Sequence, residues 1–80
     1  MEVSKFKTLS KKAKYDQVGE YGNHIAKRFY QSYEIHLYKV HEFLVEVWWK
    51  AGLNQIYWIE AVDNQRFELY MKHVKLNLDD

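Results

Sequence analysis

The sequence predicts an α+β fold in which an N-terminal helix, a four-stranded antiparallel meander and a C-terminal helix follow one another. The spacing of apolar residues is helical near the start, alternating from residue 24 onward, and helical again after residue 62. The 80-residue chain is predicted to form one domain, residues 1–80, because a second core would need about 50 residues of its own. A hydrophobic content of 48% excludes a disordered chain.

The first helix is predicted from apolar residues that recur every three to five positions with lysines between them. Ser10 is expected to be its N-cap, and a short helical turn is expected before it, around residues 3–7. Gly22 is expected to end the helix in a left-handed conformation. The apolar positions are Phe6, Leu9, Ala13, Val18 and Tyr21.

Four strands are predicted at residues 24–30, 34–40, 43–50 and 55–62, where β-branched and aromatic residues are frequent. A two-residue turn is expected at His41–Glu42, and residues 51–54 carry the Gly and Asn of a turn with positive φ. After the last strand, Asp63 is expected to cap a closing helix, and both helices are expected to cover one face of the sheet. The stripe of this helix is Phe67, Tyr70, Met71 and Val74.

Alternation along the third strand predicts which side chains form the core. Phe43, Val45, Val47 and Trp49 are expected to face inward, and Leu44, Glu46, Trp48 and Lys50 outward. If Val40 pairs with Phe43 across the two-residue turn, Tyr38 and His36 join the core side, and Leu37 and Ile35 lie beside Glu46 and Trp48. The fourth strand allows two orientations: Ile56, Trp58 and Val62 inward, or Tyr57, Ile59 and Ala61 inward. A bulge at the Gly52 turn would switch them.

In the second orientation the outer face carries an apolar patch that is large for an 80-residue chain. The sequence therefore favours a non-enzymatic protein-interaction module. Its partner is expected to be a protein, and self-association into a homodimer is the leading case. The alternative is that the two helices divide and cover both faces. The candidate contact residues are Leu37, Leu44, Trp48 and Trp58.

The net charge of +1 is unevenly distributed, since residues 1–14 hold five lysines and one glutamate, a charge of +4, and the rest of the chain holds −3. Lys7, Lys11 and Lys14 form a candidate basic face. The alternative function is a single-stranded nucleic-acid-binding module in which this face and the tryptophans act together. We do not expect nucleic acid as the partner, because Glu46 and Glu60 lie near the tryptophans.

No catalytic site, metal site or cofactor is predicted, so the chain is expected not to be an enzyme. The absence of Cys excludes disulfides and thiolate sites and favours a cytoplasmic location. His24, His36, His41 and His73 lie on different elements, although Glu34 and His36 share a strand face. Glu46 is expected to face solvent or to pair with a base such as Lys39, with an acid/base role as the alternative if it is covered. No signal peptide, membrane span or glycine-rich loop is visible.

The segments LSKKAKYDQVGEYGNHIAKR, LYKVHEFLVEVWW and IYWIEAVD resemble a group of small bacterial proteins with no assigned function. The resemblance extends from about residue 9 to residue 78 and implies the helix, meander and helix order, but no site residues. This sequence departs from the pattern of that group at Lys11–Lys12, where such helices often begin with acidic residues, and at His41, which replaces an acidic turn residue. The matching residues are Leu9, Ser10, Gly22, Leu37, Tyr38, Phe43, Val45, Glu46, Val47, Trp49, Ile56, Ile59, Leu69 and Tyr70.

Overall fold

The computed structural model describes residues 1–71 and confirms the predicted α+β arrangement. A four-residue helix and a longer one precede the sheet, and a 3₁₀ turn and a helical segment at residues 67–71 follow it. His73 and Val74, which the sequence analysis singled out, lie outside the described residues. The elements are α1 (Val3–Phe6), α2 (Lys11–Tyr21), β1 (Gly22–Tyr30), β2 (Tyr33–Val40), β3 (Phe43–Lys50), β4 (Gln55–Val62) and the 3₁₀ turn (Asn64–Arg66).

The helix boundaries follow from local side-chain chemistry. The Ser10 hydroxyl accepts a hydrogen bond of 3.1 Å from the Ala13 N–H and caps α2, as predicted. Gly22 ends the helix, but in an extended conformation (φ −82°) and not in the predicted left-handed one. A Cβ at Gly22 would lie 2.5 Å from the Val18 carbonyl oxygen, so the chain needs glycine there for close approach.

The four strands pair antiparallel in the order β1-β2-β3-β4. Val40 pairs with Phe43, which confirms the two-residue turn, and His41 in that turn has a φ of 54°. Gly52 and Asn54 also have positive φ, as their turn chemistry predicts.

The hydrophobic core lies between α1, α2 and one face of the sheet, which we call the inner face. Val45 and Val47 are buried there, as predicted from strand alternation, and Phe43 and Trp49 pack at its margins. The inner face packs with Phe6 of α1 and Val18 of α2. The buried cluster comprises Phe6, Val18, Val40, Val45, Val47 and Ile59.

A β-bulge decides the orientation of β4. Ile59 pairs with Val47 on the inner face, but the register shifts between Trp48 and Trp49, so that Trp58 pairs with Trp48 and Ile56 pairs with Trp49. Tyr57 is the extra residue, and it is 51% exposed. Neither of the two orientations left open for β4 therefore holds along the whole strand. Ile59 and Ala61 pack against the core as in the second orientation and Ile56 as in the first, because the bulge reverses the alternation at Tyr57.

The helices do not cover one face together; they divide between the two faces, which is the alternative that the sequence left open. The chain turns at Asn64–Arg66, directly after β4, and the Asp63 side chain caps this turn by accepting from the Gln65 N–H at 3.0 Å. The following segment lies against the other face of the sheet, the outer face, where Tyr70 is buried. No helix within residues 1–71 is long and apolar enough to cross a membrane.

Candidate interaction surface on the outer face

Glu46 lies at the centre of the outer face and is fully buried. One carboxylate oxygen accepts hydrogen bonds from Arg66 Nη1 at 2.7 Å and from Trp48 Nε1 at 3.2 Å. The other accepts from Arg28 Nη2 at 3.0 Å and from the Tyr70 hydroxyl at 2.8 Å. The expectation that Glu46 faces solvent or pairs with Lys39 is wrong, because the C-terminal segment covers this position and supplies two of its four donors.

The hydrogen bonds of this network favour the protonated forms of Arg28 and Tyr70. Burial opposes the charge on Arg28, but hydrogen bonds with Tyr70 and Glu46 outweigh burial and raise the pKa of Arg28. Burial and the hydrogen bond to Glu46 raise the pKa of Tyr70, so its hydroxyl remains a donor in ordinary buffers. The network therefore forms a hydrogen-bonded polar layer over this part of the sheet.

The C-terminal segment and the Glu46 network also make part of the predicted contact surface inaccessible. Leu37 and Ile35 are fully buried under the outer-face residues, so Leu37 cannot contact a partner in the folded chain. Leu44 lies on the far side of Glu46 from Trp48, beside Ile25 and Phe67. The predicted continuous patch is thus divided in two, since the Glu46 network occupies the middle of the face.

The larger exposed half is a group of five rings, which we call the aromatic patch. The Tyr33 ring lies 5.4 Å from Trp48 and 5.0 Å from Tyr57 between ring centroids, and the Tyr30 ring lies 6.1 Å from Trp48. Trp58 pairs with Trp48 across the strands. Three members remain about half exposed: Tyr30 at 50%, Tyr57 at 51% and Trp58 at 51%.

Two cations lie against the aromatic patch. The Arg28 guanidinium is 5.6 Å from the Trp48 ring centroid, and the Lys50 ammonium is 5.7 Å from that of Tyr57. Arg28 is already bonded to Glu46, and the indole N–H of Trp48 is used by the same carboxylate. A partner would therefore contact mainly the faces and edges of aromatic rings at this patch, and few free charges.

The structure places the candidate basic face away from the aromatic patch. Lys11 Nζ donates to the Ile56 carbonyl at 3.3 Å, and Lys14 Nζ donates to the Ile59 carbonyl at 3.5 Å. Lys7 lines a cleft with Glu60 and Asp63. Lys11 and Lys14 of α2 thus lie along β4 on the side of the helices, while Trp48 and Trp58 lie on the outer face.

Sequence reasoning missed a second polar cluster, on the uncovered part of the inner face. His36 Nε2 lies 2.7 Å from a Glu34 oxygen, and His36 Nδ1 lies 2.8 Å from His24 Nε2. The spacing of Glu34 and His36 was visible, but the bulge in β1 that turns His24 toward them was not. Residues 1–71 contain no group of three or more His, Asp or Glu side chains arranged to hold a metal ion.

Hydrogen bonding and burial shift the ionisation of this cluster. The hydrogen bond to His36 lowers the pKa of Glu34, and Lys27 contributes in the same direction. Burial, followed by the charges of His36 and Lys27, lowers the pKa of His24. The cluster links β1 to β2, because the His24 and His36 ring nitrogens lie within hydrogen-bond distance of each other and the other His36 nitrogen faces the Glu34 carboxylate.

No family model, curated protein or solved structure matches this chain. The resemblance to small bacterial proteins therefore stays a prediction.

Proposed function

We propose that this chain is a small non-enzymatic protein-interaction module that self-associates through the aromatic patch. The observation that supports this most is that Tyr30, Tyr57 and Trp58 are each about half exposed at the same end of the outer face. Tyr and Trp at the centre of an interface provide much of its binding energy, because large rigid rings lose little entropy when they are desolvated.

A second copy of the chain is the occupant that the patch chemistry favours. Its rings are tilted against one another, with interplanar angles of 71° for Tyr30 and Trp48 and 63° for Tyr33 and Trp48, so both faces and edges are presented. Edge-to-face packing between aromatic rings is favourable, and a surface that offers both is complementary to itself. A net charge of +1 adds little repulsion between copies.

Charge argues against nucleic acid as the occupant. A strand of nucleic acid needs cations along its phosphates beside the stacking rings. Arg28, the cation nearest Trp48, is bonded to Glu46, and Lys11 and Lys14 donate to backbone carbonyls on the helix side. We also propose a cytoplasmic location, which the absence of cysteine supports.

Sedimentation equilibrium from low micromolar to hundreds of micromolar tests the proposal. The double variant Tyr57→Ser with Trp58→Ser should weaken self-association by about 30-fold or more, which corresponds to about 2 kcal/mol for a desolvated aromatic contact. Tyr21→Ser is the matched control, because Tyr21 is 46% exposed at the end of α2, outside the patch. Association that is unchanged in the double variant would contradict the proposal.

A further inference from the structure

The sheet has two edges, β1 and β4, and only β1 is left open among the described residues. A strand edge presents unpaired N–H and C=O groups that can pair with another chain. Proteins block such edges with charged side chains, lysine above all. Both edges of this sheet carry lysine: Lys27 belongs to β1 itself, whereas the lysines at β4 come from α2 and donate to the β4 backbone.

The β4 edge is blocked by α2. The ammonium groups of Lys11 and Lys14 donate to the carbonyls of Ile56 and Ile59, at 3.3 Å and 3.5 Å. An incoming strand would have to displace both side chains before it could use these acceptors. The candidate basic face thus has a structural explanation, since two of its three lysines cap a strand edge.

The β1 edge carries no such cap. Within residues 1–71, no side chain hydrogen-bonds to the backbone of this nine-residue strand. Tyr30 and Tyr33 close a two-residue turn, so their backbone groups face one another. Backbone direction alternates along a strand, so the N–H and C=O of Lys27 and Phe29 point away from β2. The Phe29 side chain is 63% exposed at the same place.

We propose that β1 pairs antiparallel with β1 of a second copy, which joins two four-stranded sheets into one of eight strands. The occupant is a second copy because one open edge on each chain pairs with its own equivalent about a two-fold axis and then leaves no open edge. The capped β4 edges stop further growth. This contact is separate from the aromatic patch and does not depend on the proposed function.

Side-chain chemistry selects the register. Pairing centred on Arg28 sets Lys27 opposite Phe29 of the second copy, which repeats the contact between the Lys27 ammonium and the Phe29 ring, 5.5 Å apart within one chain. Pairing centred on Lys27 would set two ammonium groups against each other. Arg28 itself tolerates the central position, because Glu46 of its own chain neutralises it.

Amide hydrogen exchange at low and high protein concentration tests the edge directly. The amides of Lys27 and Phe29 should exchange at least tenfold more slowly at hundreds of micromolar than at low micromolar. In the Tyr57/Trp58 variant, which lacks the patch contact, the exchange of β4 amides should be unchanged. Concentration-independent exchange at Lys27 and Phe29 would overturn the proposal.

Two substitutions at one position give the matching association test. Phe29→Pro removes only an N–H that points away from β2, and Phe29→Lys keeps the backbone but sets a second ammonium against Lys27 of the copy. Each should remove the β1 contact, and Leu53→Lys, at an exposed apolar turn residue, is the control. Circular dichroism checks that each variant is folded. If Phe29→Pro does not fold, the association test relies on Phe29→Lys.

The same measurements distinguish the two contacts. If both exist, the wild type forms assemblies larger than a dimer, the Phe29 variants and the Tyr57/Trp58 variant form dimers, and the combined variant is monomeric. A wild-type dimer that persists in the Phe29 variants overturns the edge contact and leaves the aromatic patch. A dimer that the Phe29 variants abolish and the Tyr57/Trp58 variant leaves intact supports the edge and overturns the proposed function. A wild type that stays monomeric overturns both.

Discussion

The hydroxyl of Tyr70 donates a hydrogen bond of 2.8 Å to a carboxylate oxygen of Glu46, a residue 24 positions earlier in the chain. This contact holds the C-terminal segment on the outer face and completes the burial of the carboxylate. Because it buries Leu37 and separates Leu44 from Trp48, it sets the size of the surface that remains for a partner.

Removal of this hydroxyl should destabilise the fold. Tyr70→Phe leaves Arg28 as the donor to this carboxylate oxygen, and the loss of a hydrogen bond to a charged group costs about 1.5–3 kcal/mol. Urea unfolding monitored by tryptophan fluorescence measures the change. Tyr15→Phe, at a 45% exposed tyrosine of α2, should be nearly neutral. Equal midpoints for the two variants would show that the Tyr70 bond contributes nothing.

The pair of Glu46 and Arg28 should show strong coupling. Glu46→Leu leaves Arg28, whose side chain is 10% exposed, without its carboxylate, and the loss of one member of a buried ion pair costs about 3–5 kcal/mol. The double variant Glu46→Leu with Arg28→Met should lose less than the sum of the single variants. A double-mutant cycle by chemical denaturation measures this difference. Additive losses would mean that the two side chains do not stabilise each other.

Truncation of the inner face should be costly, because the core of an 80-residue chain is small. Val47→Ala should cost about 2 kcal/mol, and Phe43→Ala should cost about 3 kcal/mol, from lost burial and residual cavity. Thermal and urea unfolding give both values. Losses below about 1 kcal/mol in both variants would contradict the assignment of this face as the core.

Acidification should destabilise the chain through His24. Its pKa is lowered from the ordinary value of 6.5, by burial first and then by His36 and Lys27. The unfolded chain therefore binds a proton at His24 before the folded chain does, and stability falls as the pH drops below about 6.5. His24→Gln should reduce this slope between pH 7 and pH 5, and His41→Gln is the control. If the dependence of stability on pH is the same in His24→Gln as in the wild type, His24 is not the cause of the acid destabilisation.

Loss of the lysine cap on β4 should open a second edge. Lys11→Ala combined with Lys14→Ala frees the carbonyls of Ile56 and Ile59, and a sheet with two open edges grows without closure. Light scattering against concentration should show open-ended assembly in this variant. Lys12→Ala is the control, because Lys12 pairs with Asp16 and is 88% exposed. A double variant of the same size as the wild type would show that the lysines do not protect the edge.

Much of the fold is determined by interactions between near neighbours in the sequence. The Ser10 cap, the two-residue turn between Val40 and Phe43 and the alternation of Val45 and Val47 each depend on residues within a few positions of one another. These features are predictable because backbone preference and strand period act locally. The sequence alone therefore determined the order of elements, the register of the central hairpin and the core face of β3.

The candidate site was decided by tertiary structure. The bulge in β4 exposes Tyr57, the bulge in β1 brings His24 to His36, and the turn after β4 carries Tyr70 to Glu46. A bulge of one residue reverses every later side chain in the strand, and strand alternation gives no sign of where it occurs. The partner of a buried carboxylate depends on which distant donors the chain brings to it, so only the folded structure could show that Glu46 is a buried centre and that the exposed aromatic patch ends beside it.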